Sequence, residues 1–160
     1  MNSRYIAEEK LEKLKENLCN KYFRDINPEN VQFNVEITTN SSLNKVYASV
    51  YRDFFRKGYT IDIGLPGEIL EDNPSFQTLF TGGLAHEFGH IIGGHLGSYR
   101  TGLAIMLNIL GNKLRPLRKV GRIMLRKLEE EADSIVKERG LSSALDAGDK
   151  LARKINGVIN

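Results

Sequence analysis

The chain has 160 residues, 41% of them hydrophobic and 27% charged, with a net charge of +3. That length suits one domain with a core large enough to hold without disulfides, and the composition is that of a soluble globular protein. Apolar runs as short as "LAIML" exclude a membrane-spanning helix, which needs about 18 apolar residues. The charged N-terminus, "MNSRYIAEEKLEKLKENL", lacks the apolar core of a secretory signal and predicts a cytoplasmic protein.

The first predicted element is an amphipathic helix over residues 1–26, with Ile6, Leu11, Leu14, Leu18 and Phe23 at helical spacing. Its single cysteine, Cys19, has no partner for an internal disulfide and reads as a buried bystander in a reducing compartment. Pro28 and two asparagines in "DINPEN" punctuate the chain. The sheet is expected over residues 31–65. "VQFNVEIT" alternates Val31, Phe33, Val35 and Ile37 with polar residues, "NKVYASVYRDFF" places Val46, Ala48 and Val50 on one face, and "GYTIDIGLP" closes at Gly64 and Pro66.

A helical part follows over residues 74–155. Asn73 is the expected cap, with Pro74 in the first turn, of a helix running to the Gly93–Gly94 pair. A segment "TGLAIMLNIL" ends near Gly111. Then come a basic stretch with Pro116, a helix around "RIMLRKLEEEADSIVKERG", and a last helix from Ser142 or Ser143 to about Ile155. Helix, strands, then helices argue an α+β fold. The basic stretch carries seven Lys and Arg over residues 113–127 and no acid. It reads as a solvated helix face in preference to a nucleic-acid or membrane surface.

All three histidines lie within "LAHEFGHIIGGH". His86, Glu87 and His90 form H-E-x-x-H: residues four apart share a helix face, so both imidazoles reach one zinc ion at about 2.0–2.1 Å. Glu87 stands beside the metal, placed to act on its water. Gly82, Gly83 and Gly89 are poor helix formers whose presence here predicts close approach by another backbone or by substrate. A catalytic zinc needs a third protein ligand. His95 falls one residue short of the metzincin position, which Leu96 occupies, and is taken as a non-ligand at the rim of the cleft. In "LEEEADSIV", Glu130 lies opposite the apolar stripe while Glu129 and Glu131 flank it. Asp133 shares a face with Glu129, so that one carboxylate binds zinc and the other orients a ligand histidine.

"LAHEFGHIIGGH" followed by "EEEAD" resembles the gluzincin zinc metallopeptidases of the CAAX prenyl protease and HtpX type, over roughly residues 45–155. Its size is closer to that of compact minigluzincins, and it lacks the transmembrane helices or tetratricopeptide domain of many members. The resemblance implies His86, His90 and Glu129 as zinc ligands, Glu87 as general base, and Asp133 as the carboxylate behind a ligand. It implies one zincin-like domain over residues 1–160, with a small, mainly antiparallel sheet packed on the active-site helix and on a second, glutamate-bearing helix.

The reaction expected is hydrolysis of a peptide bond in a peptide or unfolded protein, with one Zn2+ per chain. His95, Tyr99 and Arg100 are candidates for the cleft or the oxyanion. "YTIDIGL" is expected as the sheet edge on which substrate pairs, lined by Tyr59, Asp62 and Gly64. Two rival readings are a nucleic-acid-associated protease using residues 113–127 and a latent or non-catalytic zinc protein whose cleft holds its own C-terminal "KINGVIN". Glu87 speaks against purely structural zinc, which needs no base.

Overall fold

The alternation over residues 31–38 turns Val31 and Val35 inward and Gln32, Asn34 and Glu36 outward, and in the computed structural model this segment is strand β1 (Val31–Thr38). The structure describes residues 3–38, 46–53, 58–110 and 115–157. Predicted continuations into residues 1–2, 44–45, 54–55, 111–113 and 158–160 lie outside the described residues. Helix α1 (Ser3–Lys21) precedes β1 and buries Leu11, Leu14 and Leu18 as the spacing predicts, but it stops at Lys21 and does not run to residue 26.

After β1 come β2 (Tyr47–Asp53), β3 (Gly58–Pro66), α2 (Gly67–Glu71), α3 (Asn73–Ile92), α4 (Tyr99–Leu110), α5 (Arg115–Glu138) and α6 (Ser142–Ile155). The class is α+β as expected, with six α-helices and one three-stranded sheet among the described residues. No helix among them is long and apolar enough to cross a membrane.

The strand order is β1-β3-β2, with β1 parallel and β2 antiparallel to β3. The sheet is therefore mixed, which corrects the mainly antiparallel expectation. β3 takes the centre because it is the most apolar strand: Ile61, Ile63 and Leu65 are fully buried, and a central strand is paired along both edges. The substrate-edge expectation is corrected with it. Tyr59 pairs with Val31 and Arg52, Asp62 with Asn34 and Ser49, and Gly64 with Glu36 and Tyr47, so β3 has no free edge. Among the described residues, the edge facing α3 with no paired strand belongs to β2.

Helix α3 runs through the core, burying Phe76, Phe80, Leu84 and Phe88, with Phe23 edge-on to Phe88 at 5.3 Å. Each such side chain contributes about 1.5–3 kcal/mol. Its cap is Asp72, one residue before the expected Asn73, accepting from the Ser75 N–H at 3.5 Å. The helix ends at Gly93, and Gly94 adopts φ +64°. Helix α5 takes in the basic stretch from Arg115 onward, with Pro116 in its first turn, where no intrahelical N–H bond is lost.

Candidate metal centre

Helix α3 supplies His86, Glu87 and His90, and α5 supplies Glu129 and Asp133. Two missing side chains hold α3 tightly against its neighbours. A Cβ on Gly89 would lie 2.6 Å from the Ala132 carbonyl oxygen of α5, and one on Gly82 would lie 2.5 Å from the Ala144 carbonyl oxygen of α6. The expected close approach is thus by backbone, at a cost of up to about 1 kcal/mol of helix propensity per glycine.

At this crossing His86 Nε2 lies 3.1 Å from His90 Nε2 and 3.1 Å from Glu129 Oε2, and His90 Nε2 lies 3.5 Å from Glu129 Oε2. The three residues are close enough to hold one metal ion. A tetrahedral ion with bonds of about 2.0–2.1 Å has ligand–ligand edges of about 3.3–3.4 Å, so the triangle has the dimensions such an ion requires.

The hydrogen-bond roles fit a cation as well. His86 Nδ1 is 2.8 Å from Asp133 Oδ1. The carboxylate accepts there, so Nδ1 carries the proton and Nε2 of the neutral ring presents a lone pair. That lone pair faces Glu129 Oε2 and His90 Nε2, and three electron-rich atoms at these distances repel unless a cation or a proton neutralises them. With a proton as the only neutraliser, burial opposes the charged ring, but Glu129, Glu87 and Asp133 outweigh it and push His86 up to about 9. The hydrogen bonds to His86 and His90 hold the Glu129 carboxyl well below the usual carboxylate range. Glu87 moves the other way: burial raises it against the pull of His86, His90 and the Val50 N–H.

His90 has its own supporting chain. Its Nδ1 lies 2.9 Å from His95 Nδ1, His95 Nε2 lies 3.3 Å from Glu131 Oε2, and Arg100 donates to both Glu131 oxygens at 3.3 and 2.9 Å. The alignment of His95 Nε2 with Glu131 is too poor for a hydrogen bond. With His90 Nε2 turned to the triangle, its Nδ1–H donates to His95. His95 is buried, and burial pushes its pKa down, which keeps it a neutral acceptor. Arg100 is thus engaged by Glu131 at the surface and Tyr99 is 83% exposed, so neither stands in the cleft as the oxyanion reading expected.

Two cavities, of about 420 and 360 Å³, share Ala48, His86, Glu87 and Glu129 in their linings. They form a cleft along β2. The Val50 N–H donates to Glu87 Oε2 at 3.0 Å. Alternate residues of an antiparallel strand turn both backbone groups to one side, so Ala48 and Arg52 present theirs on this edge too. Just before β2, the Val46 N–H donates to Asn156 Oδ1 at 2.9 Å and Asn156 Nδ2 donates to the Val46 carbonyl at 3.1 Å. A side-chain amide therefore occupies the place of a paired peptide. The alternation of β2 was legible in the sequence, but no spacing marks Asn156 or the pairing of Arg100 with Glu131. Comparison with protein-family models, with curated proteins and with solved structures finds no match.

Proposed function

We propose that the chain is a zinc-dependent endopeptidase of gluzincin type with a zincin-like fold, acting on peptides or unfolded proteins in the cytoplasm. The observation that carries the reading is the triangle of His86 Nε2, His90 Nε2 and Glu129 Oε2, with the Glu87 carboxylate beside it in a cleft along a free strand edge. The likeness of "LAHEFGHIIGGH" and "EEEAD" to the CAAX prenyl protease and HtpX type supports it. Two histidines and a carboxylate are a donor set of catalytic zinc sites, which keep a fourth position open.

A zinc ion held by these three residues would supply a Lewis acid and lower the pKa of water toward about 7. Glu87 takes the proton of the attacking water and delivers it to the leaving amine nitrogen. Its burial raises its proton affinity above that of an ordinary glutamate, toward the range a general base and acid needs at neutral pH. Asp133 and His95 fix the tautomers of His86 and His90. The outward N–H and C=O of Ala48 are the groups on which an extended substrate pairs. The Val50 N–H meanwhile holds the Glu87 carboxylate in place.

The test is elemental analysis beside casein cleavage. One zinc per chain and chelator-sensitive cleavage are expected, and Glu87→Ala should keep the metal and lose about 10²–10⁴ in rate. Loss of zinc in that variant would contradict the role of Glu87. Latency is the second reading, favoured by Asn156 on the strand edge at Val46: zinc without cleavage in the intact chain, and cleavage in Asn156→Ala, would establish it.

A further inference from the structure

The two flanks of the cleft run along it in opposite senses. On β2, Tyr47 and Ala48 line the larger cavity, and Ala48, Ser49 and Val50 line the smaller. On α5, Asp133 and Glu129 line the larger cavity, and Glu129, Leu128 and Leu125 line the smaller. A chain laid along β2 past Val50 therefore moves back along α5 toward its N-terminus. Arg118, Arg122, Leu125 and Glu129 follow the spacing i, i+4, i+7, i+11, a single line within about 60° of helix arc. The line that carries Glu129 and a wall of the smaller cavity thus continues, within about 17 Å, to two arginines. Helix α4 forms a hairpin with α5 but packs beside this line: a Cβ on Gly121, turned about 60–100° from the two arginines, would lie 2.7 Å from the Asn108 nitrogen of α4. Arg118 and Arg122 are exposed and have no ion-pair partner among the described residues, whereas Glu131 holds Arg100 and Glu130 holds Arg126.

Charge changes sign along the cleft. The larger cavity sets Asp146 and Asp149 of α6 near Asp133, against the single Arg153, which Asp149 already holds at 2.9 Å. The smaller cavity has no carboxylate beyond the shared Glu87 and Glu129, and it lies on the arginine side. We infer that the cleft takes polypeptides with an acidic segment on one side only of the scissile bond, held by Arg118 and Arg122. The inference rests on the peptidase reading and names its substrate class. An acidic segment on the other side would meet Asp146 and Asp149, a like-charge contact that rejects it. A nucleic acid would engage the cations of α5 without regard to this line and would leave the backbone groups of Ala48 without a role.

The experiment uses quenched peptides that share one neutral centre and carry a run of glutamates before it, the same run after it, or serines at both ends. In kcat/KM one glutamate order should exceed the serine peptide by about tenfold and the other should fall below it, with the gap narrowing from about 0.1 to about 0.5 M salt. Fluorescence anisotropy on Glu87→Ala, which binds without cutting, should show the glutamate peptides bound about tenfold more tightly than the serine peptide. Arg118→Glu with Arg122→Glu should remove both advantages. Lys119→Glu with Lys127→Glu, the same change of charge turned about 80–160° from the line, should keep most of them. All four positions are exposed, so the melting temperature should hold in both double variants. Equal rates for the two glutamate orders, equal losses in the two double variants, or no tighter binding of the glutamate peptides would overturn the proposal. So would tighter binding to a DNA duplex than to those peptides. If neither casein nor any peptide is cut, the peptidase reading fails by itself, and the binding measurement still decides whether α5 holds acidic chains.

Discussion

Two regions of this molecule depart from the usual division of apolar inside and polar outside, in opposite directions. Where α3 crosses α5, three histidines and four carboxylates gather, and Glu87 and His95 are almost fully buried. On α4, five large apolar side chains face outward. Burying charge and exposing Ile and Leu both cost folding free energy, and folds retain such costs at sites that meet a ligand or surface. The glycines of the two regions differ in the same sense. Gly89 is pressed against the Ala132 carbonyl, whereas a Cβ on Gly102 would meet nothing within 4 Å. One region is held to a fixed geometry by close backbone contact, and the other leaves open space around its exposed side chains.

The largest effects should come from the crossing. Glu129→Ala should remove metal binding in a chelator-competition titration, while Glu131→Ala, which reaches the triangle only through His95, should change affinity by a few-fold; the reverse ranking would mean that the carboxylates have been assigned the wrong way round. Asp133→Asn is expected to weaken metal binding about 10–100-fold, and His95→Phe about tenfold, since each leaves a ligand ring without its outer partner. An unchanged affinity in either would detach that residue from the site.

Next in size is the packing itself. Gly89→Ala forces α3 and α5 apart and should cost about 1–3 kcal/mol in denaturant unfolding. Full stability in that variant would show that the crossing yields more easily than its contacts imply.

Metal-free protein should also respond to pH. His86 binds its proton more tightly in the folded chain, at about 9 against an ordinary 6.5. The stability this gives is fully present below about pH 6.5 and fades as pH rises to about 9. Thermal melts in chelator should therefore fall over that window, and fall less in His86→Gln. The smallest change expected is on the hairpin: Gly102→Ala should stabilise by up to about 1 kcal/mol, since it restores helix propensity in open space. Destabilisation there would mean that the α4 face is covered.

Much of the site was legible locally. H-E-x-x-H needs only helical periodicity to bring His86 and His90 to one point, and the same periodicity paired Glu129 with Asp133. β1 and α6 were likewise readable, because alternation and the 3.6-residue period belong to the chain itself. The partner of His90 was not. His95 lies past a helix end, and the turn at Gly93 and Gly94 alone carries it back, with Gly93 leaving room for the ring. Nor was the strand order: three amphipathic segments in a row suit a meander as well as a sheet in which the third lies between the first two.

The sequence by itself determined the three strands, the long helix α3 and the last helix, the two histidines and the carboxylate pair, but not the short α2 or the start of α5, since the former follow from backbone periods and residue chemistry within one or two turns. Only the tertiary structure decided that β2, not β3, borders the cleft, that Glu131 turns to Arg100 and His95 instead of His86 and His90, and that α4 shows its apolar face to the outside. Those outcomes depend on which surfaces compete for burial across the whole chain, and the most apolar strand and the glycine-lined helix crossing won the interior.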